Sequence, residues 1–215
     1  MLLCITGMYS QIEGYATNID GTKTHYKTYG KGEPILIING GPGMNSEGFT
    51  YLAEELAKNN QTILYDQRGT GKSVVKELNS KTITMKQMAD DIETLRKHLK
   101  IKKWVVFGHS FGGMLASFYA ANYPNSISKI IFSASGGLDL GLRKYVANKI
   151  HLNLSKIEQD SLAYYNAKID KGDTTKLTRL GRGRALAPAY LFDKKNIPIL
   201  AERLTQGNTV INQLV

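Results

Sequence analysis

The chain has 215 residues and a formal net charge of +10, with 42% hydrophobic and 21% charged residues. This length supports one sizeable core, and the composition is that of a globular protein rather than a disordered or fibrous one. The single cysteine, Cys4, excludes an internal disulfide and a cysteine-based metal site. Lys and Arg are scattered, and no basic helix carries interleaved aromatic residues, so we expect no nucleic-acid partner.

The first residues do not decide whether the protein is cytoplasmic or exported. Residues 1–8 are apolar, and the polar residues 9–11 after them could end a clipped secretory signal. The apolar run is very short, however, and no basic region precedes it, so an ordinary N-terminal tail explains it equally well. No stretch is long and apolar enough to predict a membrane span.

The first half of the chain predicts strands that alternate with helices. Polar and apolar residues alternate on both sides of Asp20-Gly21, which predicts an antiparallel hairpin over residues 12–28. Helical spacing of apolar residues predicts intervening helices, one of them starting at a capping box, Thr84-Met85-Lys86-Gln87. Such alternation indicates a mostly parallel α/β sheet. Its buried strands are predicted from apolar runs at residues 34–38, 62–65, 104–107 and 127–132.

The pattern changes after residue 137. From residue 138 to the end, the sequence predicts helices and loops but no strand, and Ser155-Lys156-Ile157-Glu158 is a second capping box. We therefore divide the chain into an α/β core at 12–137 and a helical cap or lid at 138–215.

The segment 108–112, with the sequence G-H-S-F-G, follows the apolar run at 104–107 and opens a helix-forming stretch. A G-x-S-x-G turn between strand and helix lifts the serine hydroxyl clear of the sheet, so Ser110 is the candidate nucleophile. The backbone N–H of Phe111, directly after it, and that of Gly41, in the loop after an earlier strand, are the candidate oxyanion donors.

Three motifs follow three successive predicted strands: G-G-P-G at 40–43, D-Q-R-G-T-G-K-S at 66–73 and G-H-S-F-G-G at 108–113. In this order they resemble the proline iminopeptidase branch of the α/β-hydrolases, over residues 12–137 and with a compatible helical cap behind them. The residue before the first motif is Asn39, where the family usually has histidine. That change leaves the backbone donors in place but puts in question what the histidine contributes to loop packing.

The resemblance implies an α/β-hydrolase fold and a serine hydrolase that releases N-terminal residues, preferably proline, from short peptides through an acyl-enzyme. It implies no metal and no organic cofactor, and its only expected partner is a small peptide or other small-molecule substrate. In the family, acidic cap residues hold the free amine of the substrate, which makes Glu158 and Glu202 the candidate substrate-binding residues. The oligomeric state is left open.

The acid and base of a catalytic triad are harder to assign. Ser110, Asp139 and His151 occur in the order nucleophile, acid, base, but His151 lies among lid-like apolar residues. We therefore expect that the true acid and base, with the last strands of the core, lie beyond this chain, and that the chain alone is inactive. Of the other histidines, His25 and His98 are expected to be exposed, and His109 is expected to pack beside the serine without serving as its base.

Other functions stay open at this stage. Residues 69–73 look like a phosphate-binding loop, but that motif needs a glycine five positions before Gly71, where Asp66 stands. A hydrolase of small esters or amides is the enzymatic alternative. A non-catalytic α/β-hydrolase remnant that binds ligands, or the product of an interrupted gene, is the alternative from another class.

Overall fold

The structure is a computed structural model that describes residues 11–137, 141 and 143–215. Most of the suggested signal remnant (1–11) and the candidate acid Asp139 therefore lie outside the described residues. The chain divides into two compact units. One contains the described residues up to 137 together with Asn208–Val215, and the other contains the described residues from 141 to Gly207.

The first unit is built on a six-stranded mixed sheet with the strand order β1-β2-β4-β3-β5-β6. Strands β1 and β2 form the predicted antiparallel hairpin, with Ile12 opposite Thr28, and β2 pairs antiparallel with β4. The remaining pairs, β4 with β3, β3 with β5 and β5 with β6, are parallel. The strands are β1 (Ile12–Thr17), β2 (Lys23–Gly30), β3 (Glu33–Ile38), β4 (Asn60–Tyr65), β5 (Trp104–His109) and β6 (Ile127–Ser133).

The strand order places the ends of β3 and β5 beside each other. From β3 the chain crosses to β4 on one side and later returns to β5 on the other. This reversal is a topological switch point, where the loops at the carboxyl ends of two parallel strands diverge and leave a crevice. The loop at 39–44 and the turn at Ser110 follow these two strands.

Helices cover both faces of the sheet, and for that reason the central strands are apolar on both sides. In β3, Leu36 and Ile38 pack into a cluster with α2 and α3, whereas Ile35 and Ile37 pack into a second cluster with α1. All four are buried, at 0–7% exposure. The helices of this unit are α1 (Thr50–Leu56), α2 (Met85–His98), α3 (Phe111–Asn122) and α8 (Thr209–Leu214).

The second unit contains helices α4 (Arg143–Leu152), α5 (Lys156–Asp170), α6 (Lys176–Leu186) and α7 (Ile197–Leu204). Small residues bring α6 close to its neighbours. A Cβ on Gly183 would stand 2.7 Å from the carbonyl oxygen of Ala201 in α7, and one on Gly181 would overlap the Tyr165 ring in α5. Over the described part of the chain, no helix has both the length and the apolarity that a membrane crossing requires.

Both predicted capping boxes mark helix starts, but only one forms completely. At α5, the Ser155 hydroxyl accepts from the Glu158 N–H while the Glu158 carboxylate accepts from the Ser155 N–H. At α2, Thr84 Oγ1 accepts from the Gln87 N–H at 3.2 Å. The Gln87 side chain, however, accepts from the Thr84 hydroxyl. Thr84 therefore still caps the helix without the second half of the box.

The C-terminal residues differ from the sequence-based division, which placed 138–215 together in the cap. Asn208–Val215 belong to the α/β unit instead. The physical reason is Ile211, which is fully buried in the cluster that contains α2 and α3, with Leu214 and Val215 packed against that cluster.

Candidate active site

Ser110 lies at the turn between β5 and α3 in a backbone conformation that side chains rarely adopt. Its φ is +53° and its ψ is −121°. The surrounding chain holds this conformation, because the Ser110 N–H donates to Ser133 O at 3.0 Å and the Gly136 N–H donates to Ser110 O at 3.2 Å. Ser110 is partly exposed. This is the strained strand–turn–helix geometry that the sequence predicts around a nucleophilic serine.

Two glycines of the motif are required because the turn is packed tightly. A Cβ on Gly112 would stand 2.2 Å from Ile38 O, and a Cβ on Gly108 would stand 2.6 Å from Gly112 O. A side chain at position 112 would push α3 away from β3, and one at position 108 would push α3 away from β5. The G-x-S-x-G spacing therefore reflects the close approach of helix α3 to strands β3 and β5.

The glycine-rich loop after β3 lies directly against the serine. A Cβ on Gly40 would be 3.2 Å from Ser110 Cβ and 3.1 Å from His109 Cδ2. Gly41, the next residue, has a φ of +145°, which favours glycine, and precedes a cis peptide bond to Pro42. The fold thus brings together two motifs that are about 70 residues apart in sequence, as expected at a switch point.

Asn39 occupies the position at which the family usually has histidine, and it fastens the loop. Its side chain is fully buried, and Nδ2 donates to Gly40 O at 2.8 Å and to Met44 O at 2.9 Å. Gln67 Nε2 in turn donates to Asn39 O at 2.8 Å. The asparagine therefore closes the loop through backbone carbonyls, a role that the sequence motif alone did not indicate.

The two candidate oxyanion donors are the backbone N–H groups of Gly41 and Phe111. Within the described residues of the α/β unit, neither the Gly41 N–H nor the Phe111 N–H donates a hydrogen bond. Phe111 is the first residue of α3, and the N–H groups of a first helical turn have no partner within their own helix. Such groups are able to bind a developing negative charge.

The loop at 66–73 encloses a carboxylate. Asp66 accepts hydrogen bonds from the Ser46 N–H (3.0 Å), the Ser46 hydroxyl (2.9 Å) and the Lys72 N–H (2.9 Å). A Cβ on Gly71 would stand 2.2 Å from Asp66 Oδ2. The Lys72 amide is thus used by Asp66, and the amides of Gly69, Thr70 and Ser73 donate to carbonyls of the same loop. This arrangement disfavours a bound phosphate, and the nucleotide-binding alternative loses its support.

Arg68, in the same loop, ties it to helix α2. Its Nε and Nη2 donate to Asp91 at 2.8 and 2.6 Å, and its Nη1 donates to Asp20 at 2.6 Å. Burial raises the pKa of Asp91 to about 6, although the Arg68 guanidinium opposes that shift. This bidentate pair is a structural connection between the loop, α2 and the N-terminal hairpin.

The histidines of the α/β unit are placed differently from one another. His98 is exposed, as predicted. The prediction that His25 is exposed was wrong: its side chain is 3% exposed, with one ring nitrogen 2.9 Å from Asp66 Oδ2 and the other 2.7 Å from Glu13 Oε1. Hydrophobicity patterns in a hairpin could not reveal this, since both carboxylates come from other strands or loops. Hydrogen bonds from Lys72 and His25 lower the pKa of Glu13 to about 2.

His109, beside the serine, is half-buried. Its Nδ1 lies 3.2 Å from Ser133 Oγ and its ring packs on Phe49. Burial lowers the pKa of His109. Within the described residues of the α/β unit, no side chain forms a hydrogen bond with the Ser110 hydroxyl. His151 lies on α4, in the other unit.

The two candidate amine-binding glutamates lie on different helices of the second unit. Glu158 in α5 lines an open cleft of about 310 Å³ between α5 and α6, together with Tyr165 and Arg184. The hydrogen bond from the Ser155 N–H lowers the pKa of Glu158. Glu202 in α7 forms an ion pair of 2.9 Å with Lys176.

Comparison with known proteins agrees with this geometry. A family model described as the alpha/beta hydrolase fold matches residues 33–160, which is more than half of the chain. The chain therefore belongs to the α/β-hydrolase family.

Curated relatives include proline iminopeptidases. The enzyme of Lactobacillus acidophilus is 35% identical over 121 residues, which are 54% of this chain and 41% of that protein. A putative proline iminopeptidase of Mycoplasma genitalium is 37% identical over 125 residues, covering 57% of this chain and 40% of its own length. A cis-3-alkyl-4-alkyloxetan-2-one decarboxylase of Shewanella oneidensis is 33% identical over 124 residues, which are 56% of this chain and 38% of that protein. The chain thus spans about two-fifths of the length of these relatives.

Among solved structures, the proline iminopeptidase of Mycobacterium smegmatis superposes with a TM-score of 0.66 at 19% identity. The match covers 93% of this chain and 69% of that one. At this identity the likeness shows the shared fold.

Proposed function

We propose that this chain carries the nucleophile of a serine hydrolase that releases N-terminal residues, proline preferred, from short peptides. The observation that carries the proposal is the contact between the glycine-rich loop and Ser110 at the switch point of the sheet. Ser110 is the proposed nucleophile, and the N–H groups of Gly41 and Phe111 are the proposed oxyanion donors.

The proposed reaction has two stages. Ser110 Oγ attacks the carbonyl carbon of the first peptide bond and gives its proton to a base, and the carbonyl oxygen becomes an oxyanion held by the two amides. The intermediate collapses to an ester on Ser110, and the leaving amine takes the proton. Water then attacks the ester, which regenerates the hydroxyl and frees the amino acid.

The base is the component that the described α/β unit does not supply at Ser110, since no imidazole there is hydrogen-bonded to the hydroxyl. We propose that this chain without such a base turns over peptides at most weakly, through the contribution of the oxyanion donors and binding alone. Exogenous imidazole is then expected to take the place of the base.

Specificity for a free N-terminus needs an anion near the substrate amine. Glu158 and Glu202 are the proposed anions, supported by the position of Glu158 on the cleft between α5 and α6 and by the resemblance to proline iminopeptidases. Each already faces a lysine, Lys194 at 3.7 Å and Lys176 at 2.9 Å respectively. A substrate amine would replace these exposed lysine contacts, which contribute little by themselves.

The decisive experiment measures acylation of Ser110. The purified chain is incubated with the p-nitrophenyl esters of proline, N-acetylproline and acetic acid over a range of imidazole concentrations. The mass of the proteolytic peptide that contains Ser110 is then measured by mass spectrometry. We expect acylation that rises with imidazole, is fastest for the free prolyl ester, and is absent in Ser110→Ala.

Each alternative predicts another result. Equal rates for the three esters would favour a general ester or amide hydrolase and remove the amine-binding role of the glutamates. No modification of Ser110 at any imidazole concentration would contradict the proposal and favour a ligand-binding remnant. Robust turnover without imidazole that His151→Ala abolishes would instead assign His151 as the base.

A further inference from the structure

A short C-terminal segment that no motif marks, Asn208 with helix α8, packs against the loops of the candidate site. We name this segment, residues 208–214, the C-terminal brace. Its Ile211 is fully buried. Ile211 packs closely against Gly69, since a Cβ on Gly69 would stand 2.8 Å from Ile211 Cδ1. Ile211 belongs to the cluster that also contains Ile83, with Leu78 packed against it. The brace is thereby anchored beside the loop at 66–73.

The brace also reaches the glycine-rich loop through hydrogen bonds. The Asn208 N–H donates to Gly43 O at 2.9 Å, and Asn212 Nδ2 donates to Pro42 O at 3.3 Å. Gly43 has a φ of +90°, and a Cβ there would stand 2.4 Å from Asn208 O. The loop and the brace are thus in direct backbone contact.

Two sets of hydrogen bonds hold the glycine-rich loop at residues 39–44. Asn39 binds the carbonyls of residues 40 and 44, and the brace binds those of residues 42 and 43. The remaining residue is Gly41, whose N–H is the proposed oxyanion donor. An oxyanion donor is effective only when its position is set before charge develops.

We infer that the C-terminal brace is a positioning element for the Gly41 amide, and that Asn208 and Asn212 are its positioning residues. This inference rests on the proposed role of Gly41 and extends the site to a part of the chain about 165 residues away. Helix α8 has six residues, too few to be stable alone, so its conformation depends on tertiary contacts and on its cap. The cap is Asn208, whose Oδ1 accepts from the N–H groups of Val210 and Ile211.

The test compares two double variants of the full chain. In Asn208→Ala with Asn212→Ala, the cap and the contact to Pro42 are both lost. Thr209→Ala with Gln213→Ala is the matched control, because these two exposed residues of the same helix form no such contacts. Hydrogen exchange of residues 40–44 is measured by mass spectrometry, and the rate of Ser110 acylation by the prolyl ester is measured in imidazole.

We expect exchange of the loop to rise by about fivefold in the first variant, as loss of a helix cap implies, and acylation to slow. Both quantities should be unchanged in the control. Loop exchange equal to that of the unmodified chain would overturn the inference, as would faster exchange with undiminished acylation. If circular dichroism shows that the double variant is unfolded, Asn212→Ala alone is used with the same criteria.

The readouts separate this inference from the proposed function. If Ser110 of the unmodified chain is never acylated, the hydrolase proposal fails. The inference then fails with it as a statement about catalysis, whereas exchange still reports whether the brace holds the loop.

Discussion

Ser110 is held in a conformation that costs on the order of 1–3 kcal/mol for a residue other than glycine. It persists because both of its backbone groups are fixed by the chain around β6, through Ser133 and Gly136. The glycine at position 40 lets a second loop approach the serine from the other side. At the residue scale, the candidate site therefore depends on the serine and equally on glycines, whose lack of a side chain allows the close packing.

Gly40→Ala tests this dependence. The new Cβ would be 3.2 Å from Ser110 Cβ and 3.1 Å from His109 Cδ2, so the loop and the turn at Ser110 must separate by a few tenths of an ångström. We expect imidazole-assisted acylation of Ser110 to fall by about 10²-fold, the effect of losing one oxyanion donor. The control is Gly21→Ala in the hairpin turn, which strains a φ of +80° but has no neighbour within 4 Å. An acylation rate in Gly40→Ala equal to that of the control would contradict the requirement for close packing between this loop and Ser110.

At the scale of elements, Glu93 connects α2 to the chain around α3 and β6. It accepts hydrogen bonds from Arg96 in its own helix, from Tyr119 in α3 at 2.9 Å and from Ser126 at 2.9 Å. Burial of Glu93 opposes ionisation, but these hydrogen bonds outweigh it and lower its pKa to about 2. A carboxylate with a lowered pKa contributes stability above its unfolded pKa and loses it as pH falls towards the folded value.

Glu93→Gln is therefore expected to destabilise the fold by a few kcal/mol at neutral pH. The difference from the unmodified chain should shrink as pH falls from about 4.5 to about 2, because the native carboxylate is then being protonated. Urea unfolding across this pH range provides the measurement. Glu55→Gln is the control, because it removes an exposed carboxylate whose ion pair with Lys58 is also exposed, and it should show almost no difference. A difference for Glu93→Gln that stays constant with pH would contradict this account.

At the scale of the whole molecule, β6 is an edge strand of the described sheet. Two adjacent residues, Ile131 and Phe132, are 46% and 50% exposed, and adjacent residues of a strand point to opposite faces. Among the described residues, the edge therefore presents unpaired backbone groups flanked by exposed apolar side chains on both faces. Such an edge favours association with another strand.

We expect the purified chain to self-associate with increasing concentration, and Ile131→Lys to weaken this association because a charge on an edge strand opposes pairing. Sedimentation velocity over a concentration series measures it. The control is Ile19→Lys, which places the same charge on a 92% exposed residue at the hairpin tip. A chain that stays monomeric throughout, or equal effects of the two substitutions, would contradict the role of β6.

Much of the α/β unit was predictable because its signals are local. Runs such as residues 34–38 and 104–107 are apolar because both faces of their strands are covered, and this shows in sequence. Thr84 and Ser155 mark helix starts through bonds that span three residues. The G-x-S-x-G spacing likewise reflects a tight turn within a few residues. The α/β-hydrolase family can therefore be recognised from such motifs.

Other features depended on contacts between distant parts of the chain. His25 is buried because Glu13 and Asp66 converge on it, and neither can be recognised as its partner from the hairpin pattern. The sequence pattern assigns the C-terminal helix to the cap, yet Ile211 is buried in the α/β unit.

The sequence by itself determined which residues form strands, turns and caps, and through three ordered motifs it determined the α/β-hydrolase family. Only the tertiary structure decided that the loop at 39–44 lies against Ser110, that Asn39 and residues 208–214 hold that loop, and that Asp66 fills the loop at 66–73. The physical reason is the distance along the chain between the residues that interact. Strand burial, turns and caps depend on neighbours within a few residues, whereas the site is assembled by sheet order, which joins segments that no local pattern relates.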